Sequence, residues 1–235
     1  MTQNQVCNET PDEKDFDINI WSTQVKDELT KFKKILDSNP EYKDLYKGFR
    51  IFYGPYIKHP TVLFVGYNPG AGHDQEGDIW TDPTDFEYGM GWDGFRLAEE
   101  TESIFSAAGL EDIFYNQSTK INCFSLLTKG VGEFRKLKSF LDEETNGGFS
   151  RKSSQWLKQL VCAMSPKIII CEGKMAFDEL TATLDLRGSD TEWQNEFTYI
   201  STNKFTIVGY KRRYSDIRNK DGVSNLLKTF LKDEN

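Results

Sequence analysis

Four short apolar runs, separated by longer amphipathic stretches, constrain the fold of this chain more than any other feature of its sequence. They span residues 61–66, 119–125, 167–171 and 205–209. Three of the four are continuously apolar, as is typical of strands covered on both faces of a sheet. Alternating strand and helix patterns favour a parallel sheet with helices on both faces. The sequence therefore predicts an α/β protein with a three-layer α/β/α architecture and a four-stranded, mainly parallel central sheet.

The amphipathic stretches predict the helices that cover this sheet. The clearest precedes the first strand, where apolar side chains recur with helical spacing at Val25, Leu29, Phe32 and Leu36. It predicts a helix over residues 22–37 that ends before Pro40. Further helices are expected over 94–108, 132–144, 153–164, 174–184 and 222–231. Because no repeat or linker divides the chain, we expect one domain over residues 19–235, preceded by a flexible acidic arm over residues 1–18.

The charge balance excludes a globally basic protein. The 235 residues carry 29 basic and 37 acidic side chains, a net charge of −8. No overall positive field therefore attracts nucleic acid or anionic lipid, and only a local basic patch can do so. The first twenty residues lack the basic start and apolar run of a secretory signal. No apolar run approaches the roughly 18 residues that indicate a membrane span.

The four cysteines are widely spaced and form no CxxC pair. This spacing predicts reduced thiols in a cytoplasmic protein, with no metal site. They are Cys7, Cys123, Cys162 and Cys171.

A loop rich in glycine follows the first strand, with the sequence GYNPGAGH over residues 66–73. Glycine and proline allow a tight turn off the strand and a close approach to a ligand. The turn presents the amide of Asn68 just beyond the strand end, where it can hold a water or contact a polar ring edge. The loop has neither the Walker A pattern nor GxGxxG spacing. Taken alone, it is more typical of an ordinary strand-ending turn.

The segment VLFVGYNPG resembles the first motif of the uracil-DNA glycosylase superfamily, in the Gly-x-Asn-Pro-Gly form of its mismatch-specific and single-strand-selective classes. Three further segments are similar to this superfamily in the same order. They are DGFRLAEETESIFSAAGLEDIF, STKINCFSL and SQWLKQLVCAMSPKIIICEGKMAFDEL. The resemblance covers residues 50–232.

The resemblance implies a DNA glycosylase-like hydrolase that cleaves the N-glycosidic bond of uracil or a related flipped base, with single- or double-stranded DNA as its partner. It implies no cofactor and no metal. Asn68 would be catalytic, positioning the attacking water or stabilising the sugar cation. The implied base-binding residues are Gly66, Tyr67, Pro69, Gly70, Phe86, Tyr88 and Asn122.

Two of these assignments have structural alternatives. Asn122 would recognise the edge of the base, but a strand-end asparagine can equally be satisfied by backbone groups. Phe86 or Tyr88 would stack on the extruded base. The same aromatic side chains can instead hold a long loop on the surface.

The chain departs from the superfamily after the fourth strand. The second motif of the family, His-Pro-Ser or Asn-Pro-Ser, is replaced by Tyr-Lys-Arg-Arg-Tyr-Ser over residues 210–215. The missing side chain stabilises negative charge on the departing base. We therefore expect weak or absent uracil excision, unless Tyr210, Lys211, Arg212 or His73 supplies the donor.

Residues 204–220 carry six basic side chains and one acid. Basic and aromatic residues alternate there, a mixture suited to phosphates and bases. The predicted nucleic-acid-binding residues are Tyr210, Lys211, Arg212, Arg213 and Tyr214. Residues 74–102 oppose this prediction, because they carry ten acids and one arginine.

Two other functions remain open. The first is a glycosylase-fold protein without excision activity that binds a nucleotide, nucleic acid or protein partner. The second is a hydrolase that acts on a small nucleoside-like molecule, which would explain the acidic surface.

Overall fold

The structure is a computed structural model that describes residues 16–70, 77–78, 96–186, 193 and 195–232. Its elements in chain order are α1 (Ile18–Asp37), α2 (Pro40–Lys43), β1 (Gly48–Phe49), β2 (Val62–Gly66), α3 (Arg96–Ala108), α4 (Glu111–Asn116), β3 (Ser118–Asn122), β4 (Leu126–Leu127), α5 (Val131–Glu144), α6 (Gly148–Met164), β5 (Ile168–Cys171), α7 (Lys174–Thr183), β6 (Phe197–Ser201), β7 (Thr206–Tyr210), β8 (Arg212–Arg213), β9 (Asp216–Ile217) and α8 (Lys220–Lys232).

The central sheet has the strand order β3-β2-β5-β7-β6. The first four strands are parallel, and β6 pairs antiparallel with β7 at the edge. This arrangement confirms the predicted α/β class and mainly parallel sheet. The sheet has five strands rather than four. The pattern of β6 is half-exposed, and Tyr199 at its centre is 50% exposed, so this strand lacks the continuous apolar run that marks three of the other four strands.

Helices cover both faces of the sheet and separate the core into two clusters. One face packs against α1, α5, α6 and α7. The other face packs against α3, α4 and α8, and it includes Phe64 and Val208. Since alternate residues of a strand point to opposite faces, β2, β5 and β7 each contribute to both clusters. The three-layer prediction is therefore confirmed.

The first helix begins earlier than the sequence pattern predicts. The Asp17 carboxylate accepts from the backbone N–H groups of Asn19 and Ile20 at 2.8 and 3.2 Å, and so caps α1. The ring of Phe16 lies 6.1 Å from that of Trp21. The predicted arm over residues 1–18 thus extends too far, because residues 16–18 already belong to the packed helix start. Its remaining residues, 1–15, lie outside the described part of the chain.

The cysteine prediction is confirmed only in part. Cys123 and Cys171 are buried free thiols, and burial raises the pKa of both. Cys162 is disulfide-bonded, so the prediction of reduced cysteines is wrong for this residue. In the described ranges, no helix is long and apolar enough to cross a membrane.

Candidate functional site

The carboxyl ends of the four parallel strands meet at one edge of the sheet, where open α/β folds bind their ligands. The strand ends lie level with one another. Gly66 at the end of β2 pairs with Asn122 at the end of β3. On the other side of β2, the Glu172 N–H donates to the carbonyl of Val65 at 2.9 Å. Asn122 and Glu172 therefore flank Gly66 from the two neighbouring strands.

Asn68 lies two residues beyond Gly66, and a buried threonine orients its side chain. Asn68 Nδ2 donates to Thr128 Oγ1 at 3.2 Å and to the carbonyl of Pro69 at 3.0 Å. The Thr128 hydroxyl donates to the carbonyl of Gly130 at 3.0 Å, so it accepts from Asn68. This pattern assigns the nitrogen of the amide to the Thr128 side and leaves Oδ1 as an available acceptor.

The loop of Asn68 is held along the segment that follows β3. Phe124 N–H donates to the carbonyl of Tyr67 at 3.1 Å, and Thr128 N–H to that of Pro69 at 3.4 Å. The Tyr67 ring packs edge-on against Phe124 and Phe134, both at 5.3 Å between ring centroids. Burial, with the nearby Glu179 carboxylate, raises the pKa of Tyr67 to about 12. The Tyr67 ring therefore faces the core, and its backbone forms the loop.

The space above Gly66 is occupied by two polar side chains. A methyl group on the Gly66 Cα would lie 2.1 Å from Asn122 Oδ1 and 3.2 Å from Glu172 Oε2. Only glycine permits this approach. The Asn122 Nδ2 atom is buried and has no hydrogen-bond partner among the described residues. The structure thus brings Gly66, Asn122 and Glu172 together, whereas Asn68 contacts Thr128 instead.

A buried ion pair lies beside Asn122. Lys120 Nζ is 3.2 Å from Glu172 Oε2, and the two side chains are 6% and 3% exposed. Lys120 Nζ also lies 5.8 Å from the centre of the Tyr53 ring, which the Arg50 guanidinium approaches at 4.2 Å. The carboxylate of Glu172 is therefore held next to Gly66 by a cation inside the protein.

Sequence reasoning missed Lys120, Glu172 and Thr128. Two of them left a signal. Lys120 interrupts the second predicted strand at a position that a buried strand usually fills with an apolar side chain, and Glu172 directly follows the run Ile-Ile-Ile-Cys. Charged residues are almost never fully buried unless they are paired. Thr128 left no such signal, since a threonine after two leucines is ordinary.

Three of the residues predicted to bind nucleic acid are engaged within the protein. Tyr210 is 1% exposed, and burial, together with the nearby Glu172 carboxylate, raises its pKa. This burial contradicts the expectation that its ring contacts nucleic acid. Lys211 Nζ lies 3.4 Å from Glu196 Oε2. Arg212 Nε donates to the carbonyl of Glu172 at 3.0 Å, and its Nη1 to the carbonyl of Tyr214 at 2.5 Å.

The exposed part of this region is a short hairpin formed by β8 and β9. Arg213 and Arg218 are exposed, and Tyr214 at the turn is 85% exposed. Arg212 pins the base of the hairpin to the sheet through its two carbonyl contacts. The hairpin therefore presents an aromatic ring between two arginines next to the end of β7.

The acidic and basic segments meet at α3. Glu100 Oε2 lies 2.6 Å from Lys220 Nζ, and Arg96 Nη2 lies 2.5 Å from Asp216 Oδ1. Burial of Glu100 opposes its ionisation, but the contact with Lys220 and the N–H of Ile217 outweigh burial and lower its pKa. At least one acid of the segment over residues 74–102 is thus paired with a basic residue of the segment over residues 204–220, so its charge contributes less to the predicted repulsion of nucleic acid.

Three predicted residues, His73, Phe86 and Tyr88, lie outside the described residues, and their roles stay predictions. The described ranges contain no group of three or more His, Cys, Asp or Glu side chains arranged to hold a metal ion.

The arrangement at the sheet edge agrees with the comparison to known families. The family model of the uracil-DNA glycosylase superfamily matches residues 53–224, which is more than half of the chain. No curated protein matches the chain. The match includes Asn68, Asn122 and the segment that replaces the second motif. With strand order, glycine-rich loop and family model in agreement, the chain belongs to the uracil-DNA glycosylase superfamily.

Proposed function

We propose that this protein is a DNA glycosylase-like hydrolase that cleaves the N-glycosidic bond of a base flipped out of DNA, with weak activity on uracil. The observation that carries this proposal is the fixed amide of Asn68. Its nitrogen is engaged by Thr128 and Pro69, which leaves its oxygen to accept a hydrogen bond beyond the end of β2.

An amide oxygen in this position is suited to hold a water molecule. Asn68 is neutral and cannot take up a proton as a carboxylate does, so its role is to orient the water toward the sugar carbon of the bond that breaks. Orientation of a bound nucleophile is itself a large contribution to rate. The dipole of the same oxygen also favours the positive charge that develops on the sugar.

The flipped base would lie against the loop over residues 66–70 and present its edge to Asn122. Enzymes that extrude bases recognise them by hydrogen bonds to the Watson–Crick edge. The buried Asn122 Nδ2, which has no partner among the described residues, is available for such a bond. A side chain at position 66 would collide with Asn122 Oδ1 and displace the Asn122 amide from the position in which it could contact the base.

Weak activity follows from the groups that replace the second motif. A preorganised donor to the developing anion contributes about 10²–10³-fold in rate. Tyr210 is buried, Lys211 pairs with Glu196, and Arg212 is bonded to two backbone carbonyls. A donor from Lys211 or Arg212 would therefore have to leave an existing contact, and the Tyr210 hydroxyl is buried without a hydrogen-bond partner among the described residues.

The hairpin of β8 and β9 supports contact with DNA. Arg213 and Arg218 supply two exposed cations, and Tyr214 supplies an exposed ring. Cations of this kind bind phosphates, and aromatic rings stack on unpaired bases.

The test is incubation with single- and double-stranded oligonucleotides that contain uracil or another modified base, scored for abasic sites. We expect slow excision by the wild-type protein and a loss of about 100-fold or more in Asn68→Ala, since the water loses its orientation. Asn225→Ala removes an exposed asparagine on α8 and serves as the matched control. Equal excision by Asn68→Ala and wild type would disprove the role of Asn68.

The second candidate is a glycosylase-fold protein that binds nucleic acid without excision. It is favoured by the missing second motif together with the bonded side chains of Lys211 and Arg212. Tight binding of oligonucleotides without any abasic product, in wild type and Asn68→Ala alike, would establish this candidate instead.

A further inference from the structure

The start of helix α5 and the residue before its cap carry exposed basic side chains without acidic partners. None of them forms an ion pair with another described residue, and we call them the α5 basic surface: Lys129, Arg135 and Lys136. Lys138, further along the same helix, differs because it pairs with Asp142 at 3.0 Å. The one acid near the start of α5 is Glu133, whose Oε2 accepts from the backbone N–H of Lys129 at 2.9 Å. The positive charge of this surface is therefore available to a partner.

The order of charges along α5 is not the order that stabilises a helix. The helix dipole favours acids near the amino end and bases near the carboxyl end. The last turn of α5 carries no basic residue but contains Asp142, Glu143 and Glu144. Arg135 and Lys136 lie instead in the second turn. Helix stability therefore does not explain why basic residues lie at this end, and a bound anion does.

The α5 basic surface lies next to the loop of Asn68. Thr128, whose hydroxyl accepts from Asn68 Nδ2 at 3.2 Å, immediately precedes Lys129. Arg135 lies close enough to Tyr67, the neighbour of Asn68, for its positive charge to oppose the rise in the pKa of the Tyr67 hydroxyl that burial causes. The cations are therefore at the same edge of the sheet as the candidate site.

The backbone around these cations is open to close approach. Glycine occupies three exposed positions there, Gly70, Gly130 and Gly132. A methyl group added at any of the three would meet no atom of the described residues within 4 Å. Because glycine carries no side chain, a bulky phosphate can come close to the chain at these positions.

The α5 basic surface and the β8–β9 hairpin flank this edge from the two faces of the sheet. Phe134 and Leu137 of α5 pack in the core cluster on one face, and Ile217 of β9 packs in the cluster on the other. Asn68 follows β2, which lies inside the sheet between β3 and β5. A nucleic-acid backbone that crosses the edge at Asn68 would thus meet cations on both faces.

We infer that the α5 basic surface binds phosphates of a DNA backbone, on the opposite side of Asn68 from the β8–β9 hairpin. This inference rests on the proposed function, because that function brings a DNA strand to Asn68. Contacts between side-chain cations and phosphates position a strand without reading its sequence. The two surfaces together would hold the strand on both sides of the extruded nucleotide.

Binding of DNA without any modified base tests the inference separately from bond cleavage. The probes are fluorescently labelled oligonucleotides of ordinary bases, single-stranded and duplex, titrated by anisotropy over a series of salt concentrations. The variant combines Lys129→Gln, Arg135→Gln and Lys136→Gln. We expect it to reduce the slope of log affinity against log salt by about two to three, because each lost phosphate contact removes about 0.7 to 0.9.

The matched control removes the same number of charges at the opposite edge of the sheet. It combines Lys58→Gln, Lys167→Gln and Lys204→Gln, three exposed lysines that precede β2, β5 and β7. Its net charge equals that of the α5 variant, so it measures the effect of net charge alone. We expect this control to leave the slope unchanged.

An unchanged slope in the α5 variant, or an equal reduction in the variant and its control, would overturn the inference. Binding of poly-glutamate, which the α5 variant weakens as much as it weakens binding of DNA, would also overturn it, because the surface would then suit an acidic protein. If the triple variant does not fold, the three single variants decide, each with a reduction of about 0.7 to 0.9.

The two proposals can fail independently. The expected change of slope without any abasic product would mean that the proposed hydrolysis fails and the inference stands. Excision that the α5 variant leaves unchanged at every salt concentration, at low concentrations of DNA, would mean that the hydrolysis stands and the inference fails.

Discussion

Two ion pairs of nearly equal length lie near the carboxyl edge of the sheet, in very different surroundings. The Lys120–Glu172 pair spans 3.2 Å with side chains 6% and 3% exposed, and the Lys211–Glu196 pair spans 3.4 Å with side chains 40% and 49% exposed. Water and salt screen the exposed pair, whereas the buried pair has given up its hydration and depends on its partner. Burial, not distance, therefore distinguishes the two pairs: Lys120 and Glu172 are held in place, whereas Lys211 and Glu196 can separate into water.

The largest expected effect is that of removing Lys120. In Lys120→Met the carboxylate of Glu172 stays buried without its cation, and breaking a buried pair in this way costs about 3–5 kcal/mol of unfolding free energy. Urea unfolding followed by circular dichroism measures this loss. Lys211→Met, the matched change in the exposed pair, is expected to cost at most about 1 kcal/mol. Equal losses of unfolding free energy in the two variants would show that burial does not decide how much these ion pairs contribute to stability.

The Lys33–Asp78 pair lies between these extremes, with side chains 36% and 16% exposed. Asp78 also accepts from the Tyr46 hydroxyl and the Phe49 N–H. Burial opposes its ionisation, but these contacts outweigh burial and lower its pKa. We expect Asp78→Asn to lose about 1–3 kcal/mol at neutral pH.

The loss in Asp78→Asn should depend on pH in a defined direction. A carboxyl group with a lowered pKa in the folded state stabilises the protein above its unfolded pKa of about 3.9, and this contribution disappears as the pH falls through the folded value. The difference in unfolding free energy between wild type and variant should therefore be constant above about pH 5 and shrink in acid. A difference that grows in acid would contradict the assignment.

A smaller effect is expected for Thr128→Val, which removes the hydroxyl between Asn68 and Gly130 while keeping the shape of the side chain. Stability should fall by about 1–2 kcal/mol, since a buried hydrogen-bond partner is lost. Excision should fall about tenfold, because the amide of Asn68 is then held only by Pro69. Single-turnover excision assays measure the second effect. Unchanged excision would show that Thr128 does not orient Asn68.

The smallest effect concerns the exposed hairpin. Replacing Arg213 and Arg218 with alanine should reduce the slope of log affinity for DNA against log salt by about two, at roughly one unit per lost phosphate contact. Arg212→Ala should change the slope less, because Arg212 is bonded to the carbonyls of Glu172 and Tyr214. Salt-insensitive binding of DNA by the wild-type protein would show that this surface does not contact DNA phosphates.

Hydrophobic periodicity predicted the central architecture well. The helix face of Val25, Leu29, Phe32 and Leu36 is buried in α1, and the four predicted strands form the parallel part of the sheet. Such patterns record local burial, so they are visible in the chain itself. The sequence pattern did not predict the antiparallel strand β6, because its residues alternate between the core and solvent. The motif around Asn68 was visible because its residues are contiguous.

The polar site was decided by tertiary structure. Lys120 and Glu172 are separated by some fifty residues, and only the placement of β3 and β5 on either side of β2 brings their charges together. The same packing buries Tyr210, which the sequence alone places in a basic surface segment. Sequence determined which segments form strands and helices and which loop follows β2, because these depend on local periodicity and turn chemistry. Burial and the partner of each charge depend on which strands become neighbours, and only the folded sheet specifies that.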